Sequence, residues 1–370
     1  MKTEITRAQL AEAAQAVKGL VSKDGLSAFS KIRLDASGCL SVTGSNGDVQ
    51  VEWRLEDGEI ENTGTATLPG AAFVSFVAAM PEGKVEIDDD FGKKVRMRGG
   101  GVVFKLAAGE AIDFPMMAGP KDEAKAALHI DAALFREMLR KVRFAVSTDA
   151  TRANLAGVNI DLKDGMLGMT ATDGRRLAHF ERIVTDKVMP GMNITLPTKT
   201  VAILYGLLER MPDGDVYMVF DGSAVRIVGD KWGMTAKVLA DAYPNWRRVV
   251  PEDKRGTHLI RMKRMMFLEA MGRAALASDE TDGVKITIVN GRATFEARND
   301  ITAAKTDMPV EDMDNVKWEF RVNPRLMKDA LEVIDNDEFI LHTDCGDSTP
   351  FTLTCSAPWI AVIMPYRKEG

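Results

Sequence analysis

The sequence is poor in cysteine and has no long apolar run. Only three cysteines occur among 370 residues, at positions 39, 345 and 355, too few and too scattered for a disulfide framework or a zinc site. No apolar stretch approaches the roughly 18–20 residues that span a bilayer, and the N-terminus lacks the apolar segment of a signal peptide. We therefore expect a cytoplasmic protein with no membrane partner.

Recognisable catalytic motifs are also missing. The triple glycine at 99–101 leads into a strand pattern rather than a helix, and no Gly-x-Ser-x-Gly, His-Glu-x-x-His or Cys-x-x-Cys occurs. The four histidines lack the spacing of metal ligands. Asp173 and Asp344 each follow a threonine at a predicted strand end, which is typical of turn residues. The residues thus predict no catalytic group, metal or cofactor, although a metal-dependent phosphoryl-transfer enzyme stays open as an alternative.

What the chain does contain is an internal repeat. Residues 40–47 (LSVTGSNG) return at 167–174 (LGMTATDG) and more faintly at 293–300 (ATFEARND), at offsets of 127 and 126. Each copy alternates apolar and polar residues before a turn residue, as a half-buried strand does. With 45% hydrophobic and 28% charged residues, the composition is that of a globular protein. We predict three similar domains at 1–122, 123–254 and 255–370.

Two segments in each repeat have helical periodicity, and the rest indicates strands. The predicted helices lie at 7–21, 68–80, 131–146, 197–211, 262–277 and 323–334. The order strand, helix, strands, helix, strands therefore occurs three times. This predicts an α+β fold of three repeated domains, each with two helices on antiparallel sheets.

Charge is segregated between the helices and the remainder. The six predicted helices together carry +6, whereas the whole chain carries −6, so the remainder carries −12. Basic helices on an acidic body would attract a polyanion without sequence preference if they gathered on one surface. An ordinary solvated helix face explains each segment equally well, and the threefold repetition favours the shared basic surface.

Four motifs resemble the bacterial DNA polymerase III beta subunit family, the replicative sliding clamps. The segment ATDGRRLA at 171–178 is similar to a stretch of that family's middle domain. YPNWRRV at 243–249, VIMPYR at 362–367 and DFP at 113–115 resemble three further family segments. These motifs are spread over the whole chain and agree with the repeat.

The resemblance implies a non-catalytic processivity factor. Clamps of this family are head-to-tail homodimers whose six domains form a ring around duplex DNA, with helices lining the channel. The implied partners are non-specific double-stranded DNA, the DNA polymerase III alpha subunit, the clamp loader, and other polymerases and repair proteins with clamp-binding peptides. Topological closure would keep the clamp on DNA, so that the tethered polymerase rebinds at high effective concentration.

The resemblance also implies three sets of site residues. The partner-peptide pocket would comprise Leu155, Thr172, Gly174, Arg175, Arg176, Leu177, Pro244, Arg248, Val249, Val362, Met364, Pro365, Tyr366 and Arg367. The candidate DNA-binding residues are Lys23, Arg136, Arg140, Lys141, Arg143, Arg152, Lys199, Arg210, Lys263, Arg264 and Arg273. The dimer interface would join Phe104 and Leu106 to Leu276 and Ala277 of a second copy.

The chain also departs from the family pattern, which indicates a divergent member. Leu326 aligns where an aromatic residue often borders the pocket, and Ala277 is smaller than the usual aliphatic residue. A specialised accessory clamp of a mobile element, or a variant resistant to clamp inhibitors, is therefore an alternative with the same fold.

Overall fold

The structure, a computed structural model, describes residues 1–25, 27–56, 58–120 apart from 91–92, 126–184 apart from 150, 191–250, 258–278, 283–312, 315–346, 349–355 and 358–366. Within these ranges, none of the helices combines the length and hydropathy that crossing a bilayer requires. The predicted domain boundaries, at 122/123 and 254/255, lie outside the described residues.

All six predicted helices are present. They are α1 Arg7–Val17, α2 Gly70–Ala79, α3 Ala132–Val142, α4 Thr198–Arg210, α5 Arg264–Ala275 and α6 Pro324–Glu332. Thr6 caps α1, because its hydroxyl accepts a hydrogen bond from the Gln9 amide. Asn323 caps α6 in the same way, because its side chain accepts a hydrogen bond from the Arg325 amide. Pro324, directly after this cap, is the first residue of the helix. Local sequence thus fixes where these helices begin.

The first repeat contributes nine strands. These are β1 Lys2–Thr6, β2 Lys31–Asp35, β3 Leu40–Ser45, β4 Val49–Leu55, β5 Glu59–Asn62, β6 Thr65–Pro69, β7 Lys84–Asp90, β8 Lys94–Gly99 and β9 Val102–Ala107. The second repeat contributes β10 Ala126–Asp131, β11 Gly157–Lys163, β12 Met166–Thr172, β13 Arg176–Ile183, β14 Met192–Pro197, β15 Asp215–Phe220, β16 Ala224–Val228 and β17 Trp232–Lys237. The third contributes β18 His258–Lys263, β19 Val284–Val289, β20 Arg292–Arg298, β21 Ala303–Pro309, β22 Glu311–Asp312, β23 Trp318–Val322, β24 Glu338–Thr343, β25 Phe351–Thr354 and β26 Trp359–Ile363.

The strand and helix order confirms the threefold α+β repeat. In each repeat one strand precedes the first helix, four or five follow it, and three follow the second helix. The repeated segments found in the sequence are β3, β12 and β20 with the turns after them. Gly47 and Gly174 in two of those turns have φ values of +86° and +82°, a conformation that favours glycine.

The described chain divides into two compact units, residues 1–136 with 199–238 and residues 137–198 with 239–370. The first unit holds a five-stranded sheet in the order β5-β1-β7-β8-β9 and an eight-stranded sheet in the order β10-β15-β16-β17-β4-β3-β2-β6. The eight-stranded sheet joins two repeats because β17 pairs with β4, which places Trp232 opposite Trp53. Both indoles are fully buried.

The second unit holds a nine-stranded sheet, β14-β11-β12-β13-β26-β25-β24-β18-β22, and a four-stranded sheet, β21-β20-β19-β23. Its third-repeat core is aromatic: Phe267 of α5 meets Phe295 and Phe339 edge to face at 5.1 and 5.4 Å between ring centroids. Such pairs contribute about 0.5–1.5 kcal/mol beyond their buried area. This packing holds α5 against the strands.

Candidate functional site

The candidate site forms where β13 of the second repeat pairs with β26 of the third. The antiparallel register places Leu177 opposite Val362 and Arg176 opposite Ile363. Beyond the strand end, the Met364 amide donates to the Arg175 carbonyl at 2.9 Å. Sequence motifs some 185 residues apart are therefore hydrogen-bonded neighbours in one sheet.

Asp173 builds the turn between β12 and β13. Its Oδ1 accepts hydrogen bonds from the amides of Arg175 and Arg176 at 2.8 and 2.9 Å. The Thr172 hydroxyl donates to the Arg176 carbonyl at 2.7 Å and accepts from the Gly174 amide at 3.1 Å. A threonine and an aspartate in these positions close the turn with their own side chains. This confirms the prediction that Asp173 is a turn residue.

Gly174 suits the conformation of this turn, and an arginine side chain lies close to it. Its φ of +82° is strained for other residues, and an added Cβ would lie 2.4 Å from Nη1 of Arg152. That guanidinium donates to the Asp173 carbonyl at 3.0 Å and lies 3.7 Å from the Asp149 carboxylate. Arg152, which was predicted to contact DNA, is therefore also a support of the turn.

An apolar cluster lies beneath the turn. Leu177, Val250, Ile360 and Val362 are buried together, and Trp246 packs against them. Sequence reasoning predicted Leu177 and Val362 and missed the other three; the tryptophan inside the YPNWRRV motif was the available signal. The cluster gives the site an apolar base of the kind that peptide-binding grooves use.

The Trp246 ring contacts a histidine ring and a guanidinium. It lies 4.2 Å from the His179 ring, measured between centroids, and the Arg247 guanidinium lies over it at 4.5 Å. His179 is itself fixed, because Nδ1 is 2.9 Å from the Thr170 hydroxyl and Nε2 is 3.2 Å from the Glu181 carboxylate. An aromatic side chain with defined neighbours thus borders the apolar cluster.

The two arginines of the turn have different roles. The Arg176 guanidinium is held by two ion pairs, with Asp173 at 3.1 Å and with Asp329 of α6 at 2.6 Å. It also lies 5.3 Å from the centroid of the Phe144 ring. Arg175 is exposed, and its side chain has no ion-pair partner within the described ranges. Arg175 is the arginine available to a ligand, whereas Arg176 positions the turn on α6.

Other predicted pocket residues lie in the segment after β17 and in the segment before β11. Pro244, Arg248 and Val249 are exposed, with Val249 exposed by 52%, and Leu155 is buried at the end of a short helical turn. Arg248 and Val249 share a short helical turn with Trp246, and Arg367 lies outside the described residues. Burial raises the pKa of the nearby Tyr243 phenol, so this hydroxyl stays neutral.

A cavity of about 1190 Å³ opens beside the turn. Four predicted pocket residues line it, namely Arg175, Met364, Pro365 and Tyr366. The remaining lining comes from α5, α6 and the residues next to their ends, and sequence reasoning missed it apart from Leu326. The volume lies slightly above the 300–1,000 Å³ of typical small-molecule pockets.

Among the described residues, the predicted DNA-binding cations of the first unit are unpaired. Lys23, Lys199 and Arg210 are exposed and Arg136 is half-buried. None of the four has a hydrogen-bond or ion-pair partner in the part of the chain that the structure describes. Their charged groups can therefore bind phosphate without first breaking an ion pair.

Lys141, in the second unit, needs a correction. It is only 2% exposed, and its Nζ donates to the Val333 carbonyl at 2.6 Å and to Asp335 at 2.8 Å. Arg140 shares Asp335, at 2.6 Å. Lys141 was predicted as a candidate DNA-binding cation, and its burial takes its ammonium off the surface that phosphate can reach.

The remaining predicted cations of the second unit are accessible but mostly engaged. Lys263 pairs with Glu338, Arg264 donates to the Asn336 carbonyl at 3.0 Å, and Arg273 pairs with Glu269 at 3.0 Å. Arg143 is exposed. Exposed pairs of this kind are weak, at about 0–1 kcal/mol, and can exchange for phosphate.

The predicted dimer residues divide into surface and core. Leu276 is 84% exposed, and Phe104 is half-buried, stacked on Phe76 with ring centroids 4.3 Å apart. Leu106 and Ala277 are each only 3% exposed within one chain. The latter two pack in the core of the single chain, and their predicted part in a dimer interface stays a prediction.

No group of three or more His, Cys, Asp or Glu side chains in the described ranges is arranged to hold a metal ion. The predicted turn role of Asp344 is also confirmed, since its Oδ1 accepts from the Gly346 amide at 3.0 Å.

Comparison with known proteins identifies the family. Three models match in succession: the DNA polymerase III beta subunit N-terminal domain at residues 1–118, its central domain at 129–245 and its C-terminal domain at 247–358. The beta sliding clamp of Staphylococcus aureus is 25% identical over 348 residues, covering 91% of this chain and 90% of that protein.

Solved structures agree with the sequence relatives. The DNA polymerase sliding clamp of Bacillus subtilis superposes with a TM-score of 0.91 at 26% identity, covering 100% of this chain and 99% of that one. A sliding clamp of Pseudomonas aeruginosa bound to griselimycin superposes with a TM-score of 0.90 at 24% identity over 99% of both chains. These matches do not favour the accessory-clamp or phosphoryl-transfer alternatives. The chain belongs to the DNA polymerase III beta subunit family, the non-catalytic sliding clamps that confer processivity in DNA replication.

Proposed function

We propose that two copies of this chain close head to tail around duplex DNA and tether replication proteins through the site at the β13–β26 pairing. The proposal rests on the pairing of β13 with β26 in a member of the clamp family. This pairing brings the exposed Arg175 and the half-buried Met364 next to a buried apolar cluster. A short peptide with apolar anchors and a polar head fits such a site.

The finer partner assignments follow from the family. We propose the DNA polymerase III alpha subunit and the clamp loader as ligands of this site, together with other polymerases and repair proteins that carry clamp-binding peptides. Duplex DNA would be held through its phosphates by the unpaired cations Lys23, Arg136, Lys199 and Arg210. The cytoplasm is the proposed location, and no cofactor is needed.

Griselimycin offers a direct test of the peptide site, since a related clamp binds it. Calorimetry should detect binding to the wild-type chain. Val362→Asp should abolish it, because a charge would enter the apolar cluster. Exposed Val103, on a different sheet, offers the matched control Val103→Asp, which should bind as the wild type does. Equal binding by Val362→Asp, confirmed as folded by circular dichroism, would contradict the assignment.

A further inference from the structure

The cavity beside the turn extends well beyond the predicted pocket, into a groove between α5 and α6. We call this part the α5–α6 groove. Its walls are Leu268, Met271, Gly272, Ala275 and Ser278 from the α5 side, and Asn323, Pro324, Arg325, Leu326, Lys328 and Glu332 from the α6 side. Arg175, Met364, Pro365 and Tyr366 line the same cavity and connect the groove to the predicted pocket.

The base of the groove is apolar and open. Leu268, Met271 and Ala275 follow one face of α5, and Leu326 lies on α6 across from them. Gly272 lies within this face, is exposed, and would have no atom within 4 Å of an added Cβ. Glycine is a poor helix former compared with alanine. Here it leaves room for a ligand side chain.

The rim is positively charged. Arg175, Arg325 and Lys328 are exposed, and the one carboxylate among the lining residues, Glu332, lies 3.7 Å from Lys328. Three cations against one anion favour an acidic ligand. Apolar walls beneath them favour alternating apolar and acidic side chains over a phosphodiester backbone, which has no apolar group to fill the base.

We propose that the α5–α6 groove binds an acidic, leucine-containing segment adjoining the anchor of a partner peptide, an inference that rests on the proposed peptide site. The occupant is thus an extended peptide of alternating leucine and glutamate character. Its leucines would lie over Met271 and Gly272, and its carboxylates would meet the cationic rim.

The test uses fluorescein-labelled synthetic peptides on the full chain. An anchor peptide, Ser-Leu-Ser-Leu-Phe, carries a Leu-Glu-Leu-Glu tail or a Leu-Lys-Leu-Lys tail, each at either end. Only one of the two tail positions should reach the groove. With the tail in that position, the peptide with the glutamate tail should bind about tenfold more tightly than the peptide with the lysine tail, as measured by fluorescence anisotropy. Gly272→Leu should remove this gain by filling the groove. Gly206→Leu is the matched control, because Gly206 is also helical with no atom within 4 Å of an added Cβ.

Methionine methyl NMR separates this proposal from the peptide site itself. Signals of Met271 and Met364 are assigned with Met271→Leu and Met364→Leu. The anchor should shift Met364, and the glutamate tail should additionally shift Met271. A Met364 shift without any Met271 shift overturns the groove proposal alone. If the anchor shifts neither, the peptide site is wrong, and the free glutamate tail at high concentration still tests the groove through Met271.

Two other results would also overturn the proposal. One is equal affinity for the two tails, or a glutamate gain that survives in Gly272→Leu. The other is a Met271 shift produced by a short DNA duplex and by no peptide, which would assign the groove to nucleic acid.

Discussion

At the scale of single residues, buried polar contacts decide which cations are structural. Lys141 is buried, donates to Val333 and Asp335, and offers its own carbonyl to the Trp359 indole at 2.9 Å. It therefore joins α3 to the segment after α6 and to β26 within the second unit. A buried ammonium is costly unless it is paired, so the carboxylate of Asp335 has a structural role despite its exposure.

Asp335→Ala should lower the free energy of unfolding by about 1–3 kcal/mol, because it leaves the Lys141 ammonium with a single acceptor. Urea unfolding followed by circular dichroism measures the change. Asp241→Ala, at an exposed position, is the control and should change it by less than about 0.5 kcal/mol. A loss for Asp335→Ala no larger than that control would show that the contact is unimportant.

Sequence patterns predicted local backbone geometry but did not predict which distant strands pair. Asp173 was predicted in its turn because threonine, aspartate and glycine satisfy that backbone locally. Val250 and Ile360 were missed, since nothing in their own segments reveals that β13 pairs with β26. The peptide-site motifs were recognised through family resemblance, whereas the α5–α6 groove depends on the packing of two helices that no motif encodes.

At the scale of elements, cross-strand charge links β19, β20 and β21. Glu296 lies opposite Lys285 on one side and Lys305 on the other, with both ammonium groups 2.8 Å from its carboxylate. The hydrogen bond from Lys285, followed by that from Lys305, lowers the Glu296 pKa to about 2. The folded state therefore favours the ionised carboxylate.

This shift predicts a defined pH dependence. A depressed folded-state pKa adds stability above the unfolded value of 4.5, and that stability is lost as the pH falls from there towards about 2. Glu296→Gln should therefore show a shallower loss of stability in urea titrations across this window. Exposed Glu12 on α1 provides the control variant Glu12→Gln. A slope unchanged by Glu296→Gln would contradict the assignment.

The helices also carry a prediction about DNA. Lys199→Glu or Arg210→Glu on α4 should weaken non-specific duplex binding and reduce the slope of log K against log salt by about 0.9 for each lost phosphate contact. Lys141→Met should leave the slope unchanged because Lys141 is buried. Fluorescence anisotropy over a salt series measures the slope. Equal slopes for the wild type and the α4 variants would show that Lys199 and Arg210 do not contact DNA.

At the scale of the whole molecule, the threefold repeat could be predicted from the sequence itself, whereas the head-to-tail dimer was inferred from the family resemblance. Helical periodicity located all six helices, since each buries an apolar face. Dimer residues could not be sorted by pattern alone, because Leu106 and Leu276 are equally apolar and only the structure separates a core leucine from one that is 84% exposed. Head-to-tail closure thus stays a prediction that Leu276 can test.

Leu276→Asp should shift the solution mass from twice the 40.5-kDa chain mass towards the single chain, because the charge would have to be buried in the interface. Ile301→Asp is the matched control, since Ile301 is an apolar residue exposed by 92% with no predicted interface role. Light scattering after size exclusion gives both masses. A wild-type chain that stays monomeric at micromolar concentration would contradict ring closure.

The most direct test of the account is retention on circular DNA. The chain is loaded onto a nicked plasmid by its cognate clamp loader and passed through a gel-filtration column at high salt, which suppresses phosphate contacts. Encirclement predicts that the protein travels with the circular plasmid and is lost once a restriction enzyme linearises it. Dissociation from the intact circle, or equal retention on the linear product, would contradict the central claim.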